Sequence, residues 1–256
     1  SLPVLITQSD TNVIVMPGQS VSLFFQARSC GNTSYQWFFN GTNSLDDQTD
    51  SALTFDTVDD SMAGAYQAVI SNVYGSITSA PIILTVVHPP SIVNDLSDAV
   101  AVNGGTARFD IGTQGTDPLS YQWYANSGNL LTGQTASSLI LSNTTRALAG
   151  TYSVVISNPY GSVTSSLAQL TVVDPPSILS ALPNQTVTNG AEVTWSIHAS
   201  GSGPLHYQWF FNGTAIADAN SPTLQIAAAS QAQMGAYNVI VSSPFGSVTS
   251  SPAQLI

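Results

Sequence analysis

Short runs of alternating apolar and polar residues recur along the whole chain. In one of them, Val193, Trp195 and Ile197 are separated by polar residues. This period of two places one set of side chains on each face of a strand and predicts a sheet buried on one face. No segment sustains the 3.6-residue period of a helix, and turn dipeptides separate the runs. These dipeptides are Pro17-Gly18, Asn40-Gly41, Asn103-Gly104, Asn189-Gly190 and Asn212-Gly213. The pattern predicts an all-β chain.

The chain repeats itself three times. The tripeptide Tyr-Gln-Trp begins at Tyr35, Tyr121 and Tyr207, a step of 86 residues each time. A Gly-x-Tyr motif follows at Gly64, Gly150 and Gly235, with steps of 86 and 85. A fixed period of this kind marks repeated structural units, and we predict domains at residues 1–88, 89–174 and 175–256. About seven short strands in each unit favour a β-sandwich.

Each unit resembles an immunoglobulin-like domain of the I-set type. One residue set matches the core tryptophan of strand C and another the tyrosine corner of strand F: Trp37, Trp123 and Trp209, and Tyr66, Tyr152 and Tyr237. The hairpin texts Ser-Asn-Val-Tyr-Gly at 71–75 and Ser-Asn-Pro-Tyr-Gly at 157–161 look similar to tandem repeats of large bacterial surface proteins. The resemblance implies three tandem immunoglobulin-like β-sandwiches.

Two departures from the family pattern concern its core. The cysteine pair of the family is replaced by apolar pairs, namely Phe25 with Ala68, Ile111 with Val154, and Ile197 with Val239. Loss of a disulfide costs about 2 to 5 kcal/mol, while burial of a large apolar side chain contributes roughly 1.5 to 3 kcal/mol, so the exchange is nearly neutral. The family's aspartate before the corner tyrosine is also absent, since Met62, Leu148 and Gln233 stand there.

Proline-rich text joins the units. Pro89-Pro90 and Pro175-Pro176 follow the last strand of the first and second units. Proline fixes its own φ and keeps the preceding residue extended. We therefore expect a semi-rigid connection and an extended rod.

The two chain ends suggest a contact between copies. By the repeat spacing, Ser1-Leu2-Pro3 aligns with Val87-His88-Pro89, and Leu255-Ile256 ends before the counterparts of Val172 to Asp174. Ser1, Leu2, Pro3, Leu255 and Ile256 are therefore candidate subunit contacts, through which copies would join head to tail as a filament with a strand completed across the contact. The alternative is a three-domain piece of a longer protein.

Charge narrows the choice of partners. Only 7% of residues are charged, and three arginines against 14 acidic residues give a net charge of −11. Clustered Lys and Arg are absent, which argues against nucleic acid and against anionic membranes as partners. No apolar run reaches the roughly 18 residues of a membrane span. An extracellular or cell-surface location suits this composition, which gives trypsin-like proteases few sites.

Candidate chemistry is sparse, and we predict that the chain is not an enzyme and has no cofactor. No Gly-rich phosphate loop, Gly-x-Ser-x-Gly elbow or His-Glu-x-x-His motif occurs. His198 and His206 offer two metal ligands without a third, so surface histidines are the simpler interpretation. Asp46, Asp47 and Asp50 offer oxygen ligands for calcium, but their spacing also fits a solvated acidic edge.

Three further features leave alternatives open. Cys30 is the only cysteine and is either an inert loop residue or a thiol for an intermolecular bond. The tryptophans fit core packing better than a sugar-binding platform. Sequons for N-glycosylation stand at Asn32, Asn40, Asn143, Asn184 and Asn212, and several of them are expected by chance in a chain rich in Asn, Ser and Thr.

Two classes of function remain. The first is an extracellular structural or adhesive protein that spans distance, presents surfaces and assembles with itself. The second is a module that binds a carbohydrate or protein receptor, or an accessory region of a larger secreted or phage protein, because this fold does not fix function.

Overall fold

The computed structural model describes residues 1–126 and 128–256 and is built from β-strands. Three single 3-10 turns, at Asp60–Met62, Arg146–Leu148 and Gln231–Gln233, are the only helical elements of the described residues. Contacts group the chain into two compact units: residues 1–93, 113–121 and 155–164, and residues 94–112, 122–154 and 165–256. The first unit holds the whole first sandwich, and the second holds the whole third sandwich.

The first sandwich has a three-stranded and a six-stranded sheet. Its strands are β1 (Val4–Gln8), β2 (Asn12–Val15), β3 (Val21–Arg28), β4 (Ser34–Phe39), β5 (Asn43–Ser44), β6 (Ala52–Phe55), β7 (Gly64–Asn72), β8 (Gly75–Thr78) and β9 (Ile82–Val86). One sheet has the order β1-β3-β6, and the other has the order β2-β9-β7-β4-β5 with β8 also on β7. β2 runs parallel to β9, whereas the other pairs are antiparallel.

The second sandwich repeats this plan. Its strands are β10 (Ser91–Asn94), β11 (Ala99–Val102), β12 (Ala107–Asp110), β13 (Gly112–Gln114), β14 (Ser120–Ala125), β15 (Asn129–Leu130), β16 (Ser138–Leu141), β17 (Gly150–Asn158), β18 (Gly161–Thr164) and β19 (Ala168–Val173). The large sheet has the order β11-β19-β17-β14-β15, and β12 pairs with β16. The parallel pair is β11 with β19.

The third sandwich follows the plan up to its last strand. Its strands are β20 (Ser177–Ile178), β21 (Val193–Ser196), β22 (Ala199–Ser200), β23 (His206–Phe211), β24 (Thr214–Ala215), β25 (Thr223–Ile226), β26 (Gly235–Ser243), β27 (Gly246–Thr249) and β28 (Ala253–Leu255). The counterpart of the parallel pair is reduced to one bridge between Gln185 and Leu255.

Each sandwich has nine or ten strands rather than the roughly seven of the sequence prediction. The first strand is split into β1 and β2, and the last is split into β8 and β9. Pro81 lies at the second break, where a residue without an N–H cannot continue a ladder. The boundaries at residues 88 and 174 stay a prediction.

The alternating runs form the inward faces. In β3, Leu23 and Phe25 are fully buried while Ser22, Phe24 and Gln26 are exposed. All four tryptophans are also fully buried. The core thus lies between the sheets, as the period of two requires.

Candidate interaction sites at the sandwich ends

Apolar side chains fill the places of the family's cysteines. Five of these residues, Phe25, Ala68, Val154, Ile197 and Val239, are at most 3% exposed, and the sixth, Ile111, is 7% exposed. The ring of Phe25 lies 4.9 Å from that of Trp37, tilted by 34°. The large Phe25 thus packs where the first sandwich has a small Ala68, and the other two sandwiches share the volume between two branched residues.

The corner tyrosines close each core with a hydrogen bond. Tyr66 donates to the carbonyl oxygen of Met62, Tyr152 to that of Leu148 and Tyr237 to that of Gln233, each at 2.7 Å. The side chain four residues earlier is therefore irrelevant to this bond, since its backbone oxygen is the acceptor. Burial, assisted by the nearby Asp59 carboxylate, raises the pKa of Tyr66 to about 12. Burial also raises the pKa of the other two tyrosines.

The glutamine and tryptophan of Tyr-Gln-Trp hold the loop that follows strand C. Gln36 Nε2 donates to the carbonyl of Leu45 at 2.8 Å, and Trp37 Nε1 donates to the carbonyl of Asp50 at 2.9 Å. The same bonds recur from Gln122, Trp123, Gln208 and Trp209. These roles explain why the tripeptide is repeated, but the alternation pattern alone did not reveal them.

At the first junction, a set of hydrogen bonds fixes His88. Its N–H donates to Thr116 Oγ1 at 2.8 Å, and its carbonyl accepts from Thr116 N at 3.0 Å and from Asn158 Nδ2 at 2.8 Å. The imidazole Nε2 lies 2.7 Å from Asp60 Oδ1. His88 is therefore held by its backbone and is not a free linker residue.

At the second junction, Asp174 occupies the same position with the same backbone bonds. Its N–H donates to Ser202 Oγ at 2.9 Å, and its carbonyl accepts from Ser202 N at 2.9 Å. Its carboxylate accepts hydrogen bonds from Arg146 and from Asn103 Nδ2. These two bonds lower the pKa of Asp174, with Arg146 as the larger cause.

The N-terminal residues lie one position away from where the repeat spacing put them. Asn72 Nδ2 donates to the carbonyl of Ser1 at 2.9 Å, as Asn158 donates to that of His88. Ser1 is therefore the counterpart of His88, not of Val87. An irregularity in β1 between Leu5 and Thr7 absorbs the extra residue, which a search for equal spacings does not detect.

The first sandwich leaves an apolar hairpin tip in solvent. Val73 is 84% exposed and Tyr74 is 62% exposed. Tyr160 and Phe245, the counterparts of Tyr74 at steps of 86 and 85, are half-buried. Cys30, the counterpart of Thr116, is an exposed free thiol whose Sγ lies 3.9 Å from Ser1 Oγ.

The third sandwich ends in an open groove, here called the terminal groove. It has a volume of about 460 Å³ and is lined by residues 187–189, 229–231, Met234, Leu255 and Ile256. Ile256 is 54% exposed, although its backbone is fixed by Ile256 N donating to Gln185 O and by Val187 N donating to Ile256 O. Both candidate contacts at this end, Leu255 and Ile256, therefore belong to one site.

The remaining candidates do not form a site together. Asp46 accepts from Ser44 Oγ at 3.0 Å, and Asp47 and Asp50 are exposed. His198 and His206 are exposed. Within residues 1–126 and 128–256, no three His, Cys, Asp or Glu side chains are close enough to hold a metal ion.

Three of the sequon asparagines accept backbone hydrogen bonds through Oδ1. Asn40 accepts from Ala65 N, Asn212 from Ala236 N and Asn184 from Gln254 N. The Asn40 and Asn212 bonds brace the turn after strand C, and Asn126 makes the same bond to Thr151 N. Their amides therefore have a structural role that the sequon pattern did not indicate.

Comparison with protein families agrees with this geometry. Residues 89–158 match the immunoglobulin domain, and residues 176–255 match the immunoglobulin I-set domain. The chain is a tandem array of immunoglobulin-like domains with one cysteine and no disulfide. Immunoglobulin-domain repeats are a non-enzymatic family.

The chain is similar to parts of much larger animal proteins. It is 28% identical over 199 residues to the muscle M-line assembly protein unc-89 of Caenorhabditis elegans, covering 73% of this chain and 2% of that protein. It is 24% identical over 208 residues to contactin-3 of Rattus norvegicus, covering 75% of this chain and 20% of that protein. These relatives give no support to the expectation of a bacterial type of repeat.

Solved structures share the fold of the whole chain. A titin I-band fragment superposes with a TM-score of 0.65 at 17% identity, covering 99% of this chain and 97% of that one. Sidekick-1 immunoglobulin domains 1–4 superpose with a TM-score of 0.53 at 20% identity, covering 99% and 76%. The fold is therefore three immunoglobulin-like sandwiches. Among the described residues, no helix is long and apolar enough to cross a membrane.

Proposed function

We propose that the chain is a structural or adhesive element outside the cell, without enzymatic activity, that presents surfaces and associates with itself end to end. The observation that carries this proposal is the contrast between the hairpin tips. Val73 and Tyr74 stand in solvent at the start of the first sandwich, whereas Tyr160 and Phe245 are half-buried. An exposed apolar tip favours burial against a partner.

The recurring bonds at His88 and Asp174 support a mechanical role. In both junctions, one residue donates its N–H to a hydroxyl and receives a bond on its carbonyl from the same Thr or Ser. Such two-sided bonding restrains the backbone at the point where a loose linker would bend. The relatives named for muscle assembly and the contactins are large proteins, and their roles extend to this chain only as part of this proposal.

Sedimentation velocity and negative-stain electron microscopy over increasing protein concentration test the self-association. We expect species larger than the monomer that grow with concentration. The double variant V73S/Y74S should shift the distribution to monomer, while Leu130→Ser, at an exposed position of β15, should leave it unchanged. A monomer at every concentration, or equal loss in both variants, would refute end-to-end association.

The extracellular location has a separate test. Antibodies against the folded chain should label intact, unpermeabilised cells of the source organism or its surroundings. Labelling that requires permeabilisation would overturn this part of the proposal.

A further inference from the structure

The terminal groove of the third sandwich has counterparts that are filled in the other two sandwiches. Val87 follows β9 and is 2% exposed, and Val173 ends β19 and is 7% exposed. The steps of 86 and 85 place the corresponding residue two positions beyond Ile256. Met234, which lines the groove, is exposed. The groove therefore has the shape and the apolar lining that a valine fills elsewhere in the same molecule.

Backbone groups in the groove define what it can pair with. In the first sandwich, Val87 N donates to Val15 O at 2.9 Å, and in the second, Asn103 N donates to Val173 O at 2.7 Å. The corresponding groups of the third sandwich are Val187 O and Asn189 N, and no hydrogen bond within residues 1–126 and 128–256 reaches either of them. One residue of an extended strand, running parallel to residues 185–189, would satisfy both groups.

A polar group beside the groove specifies the next residue of that strand. Asn103 Nδ2 donates to Asp174 Oδ1 at 2.9 Å, directly after Val173. Asn189 is the counterpart of Asn103, and Gln231 is the counterpart of Arg146. Both are exposed hydrogen-bond donors without charge. A short acidic side chain after the valines therefore meets two amide donors.

From these relationships we propose that the terminal groove is an acceptor site for an extended strand of a partner polypeptide that carries two β-branched apolar residues followed by an acidic residue. The proposal deepens end-to-end association by naming the strand that such an association lacks. A second copy seated as at the internal junctions does not supply it, because Ser1 corresponds to His88 and the two preceding positions remain open.

Nuclear magnetic resonance with the complete 15N-labelled chain tests the site. The probe is acetyl-Val-Val-Asp-Pro-Pro-amide, which copies residues 172–176, added at millimolar concentration to protein dilute enough to be monomeric. We expect saturable shifts confined to the amides of residues 187–189, 229–231, 255 and 256. The absence of shifts, or shifts scattered over other sandwiches, would overturn the proposal.

Matched controls separate strand pairing from general stickiness. The peptide acetyl-Ser-Ser-Asp-Pro-Pro-amide should not bind, because it lacks the apolar pair. Asn189→Pro should weaken binding at least about fivefold by removing one backbone donor, and the fold accepts proline there since Pro17 is the counterpart in the first sandwich. Equal binding of both peptides, or full affinity in the Asn189→Pro variant, would contradict strand pairing.

Two further outcomes assign the occupant. Fusion of Val-Val-Asp-Pro after Ile256 should fill the groove within the same chain and abolish peptide binding, which serves as the positive control. Unlabelled chain that displaces the peptide would make a second copy the occupant and overturn the choice of a separate strand. Peptide binding without any self-association in sedimentation would retain the groove and refute only end-to-end association.

Discussion

The imidazole Nε2 of His88 lies 2.7 Å from a carboxylate oxygen of Asp60, and one repeat later the same two positions hold Asp174 and Arg146 with the acid and the base exchanged. Both pairs connect the linker residue to a 3-10 turn of the preceding sandwich. The side chains of Asp60 and Arg146 are largely exposed. Pairs of this kind contribute little to stability, so the junction depends chiefly on its backbone hydrogen bonds.

The third repeat supplies the test for the Arg146–Asp174 pair, because Gln231 stands where Arg146 does. In Arg146→Gln, we expect the melting temperature at neutral pH to fall by only about 1 to 2 °C. The pKa of Asp174 is lowered in the folded chain, so its contribution is present above the unfolded pKa of about 3.9 and is lost as the pH falls through the folded value. Melting curves of the two proteins should therefore converge below about pH 4. A gap that persists in acid would show that the arginine acts through packing.

The corner tyrosine of the first sandwich predicts a loss of stability in alkali. The pKa of Tyr66 is raised to about 12 by burial and by Asp59. The neutral phenol is thus favoured by folding, and its contribution is complete below about pH 10 and lost as the pH rises through 12. Tyr66→Phe should cost about 1 to 2 kcal/mol at neutral pH through the unpaired Met62 carbonyl. Urea titrations from pH 8 to 12 should show a weaker pH dependence in the variant than in the parent chain.

Volume exchange between Phe25 and Ala68 tests the apolar replacement of the disulfide. Ala68→Val adds volume to a filled core and should cost about 1 to 3 kcal/mol, and Phe25→Ile should leave a cavity. The double variant recreates the Ile111 and Val154 pair of the second sandwich, and we expect it to be more stable than the sum of the single changes predicts. Additive free energies of unfolding in urea would contradict direct complementarity of the two positions.

Gly235 explains the glycine of the Gly-x-Tyr motif. It has a φ of +149°, and a Cβ there would lie 2.6 Å from Asn212 Oδ1, the acceptor for Ala236 N. Gly235→Ala should cost about 1 to 3 kcal/mol from backbone strain alone, and more if Asn212 is displaced. Gly213, with a φ of +81° and open space around it, is the matched control. Thermal unfolding should show a larger loss for Gly235→Ala than for Gly213→Ala.

The sequence predicted the architecture because its signals are local and repeated. Alternation in segments such as Val193–Ile197 defines strand faces, and equal spacing of Trp37, Trp123 and Trp209 defines the units. Fold-level similarity to the titin fragment confirms three immunoglobulin-like sandwiches.

The sequence did not predict features that depend on backbone geometry. The bonds from Thr116 and Asn158 to His88 join positions 28 and 70 residues apart, and polar residues in turns carry no periodic signal. The one-residue irregularity in β1 was missed for a related reason, because an alignment of motifs assumes constant spacing. The terminal groove likewise follows from pairing of residues 185–187 with the last strand.

Acrylamide quenching of tryptophan fluorescence tests the central claim most directly, namely that each repeat buries its aromatic residues in an apolar core without a disulfide. Trp37, Trp123, Trp195 and Trp209 are all fully buried. We predict weak quenching of the native chain, unchanged by a strong reductant, and a steep rise on unfolding in urea. Quenching of the native chain as strong as that of the unfolded chain would contradict the account.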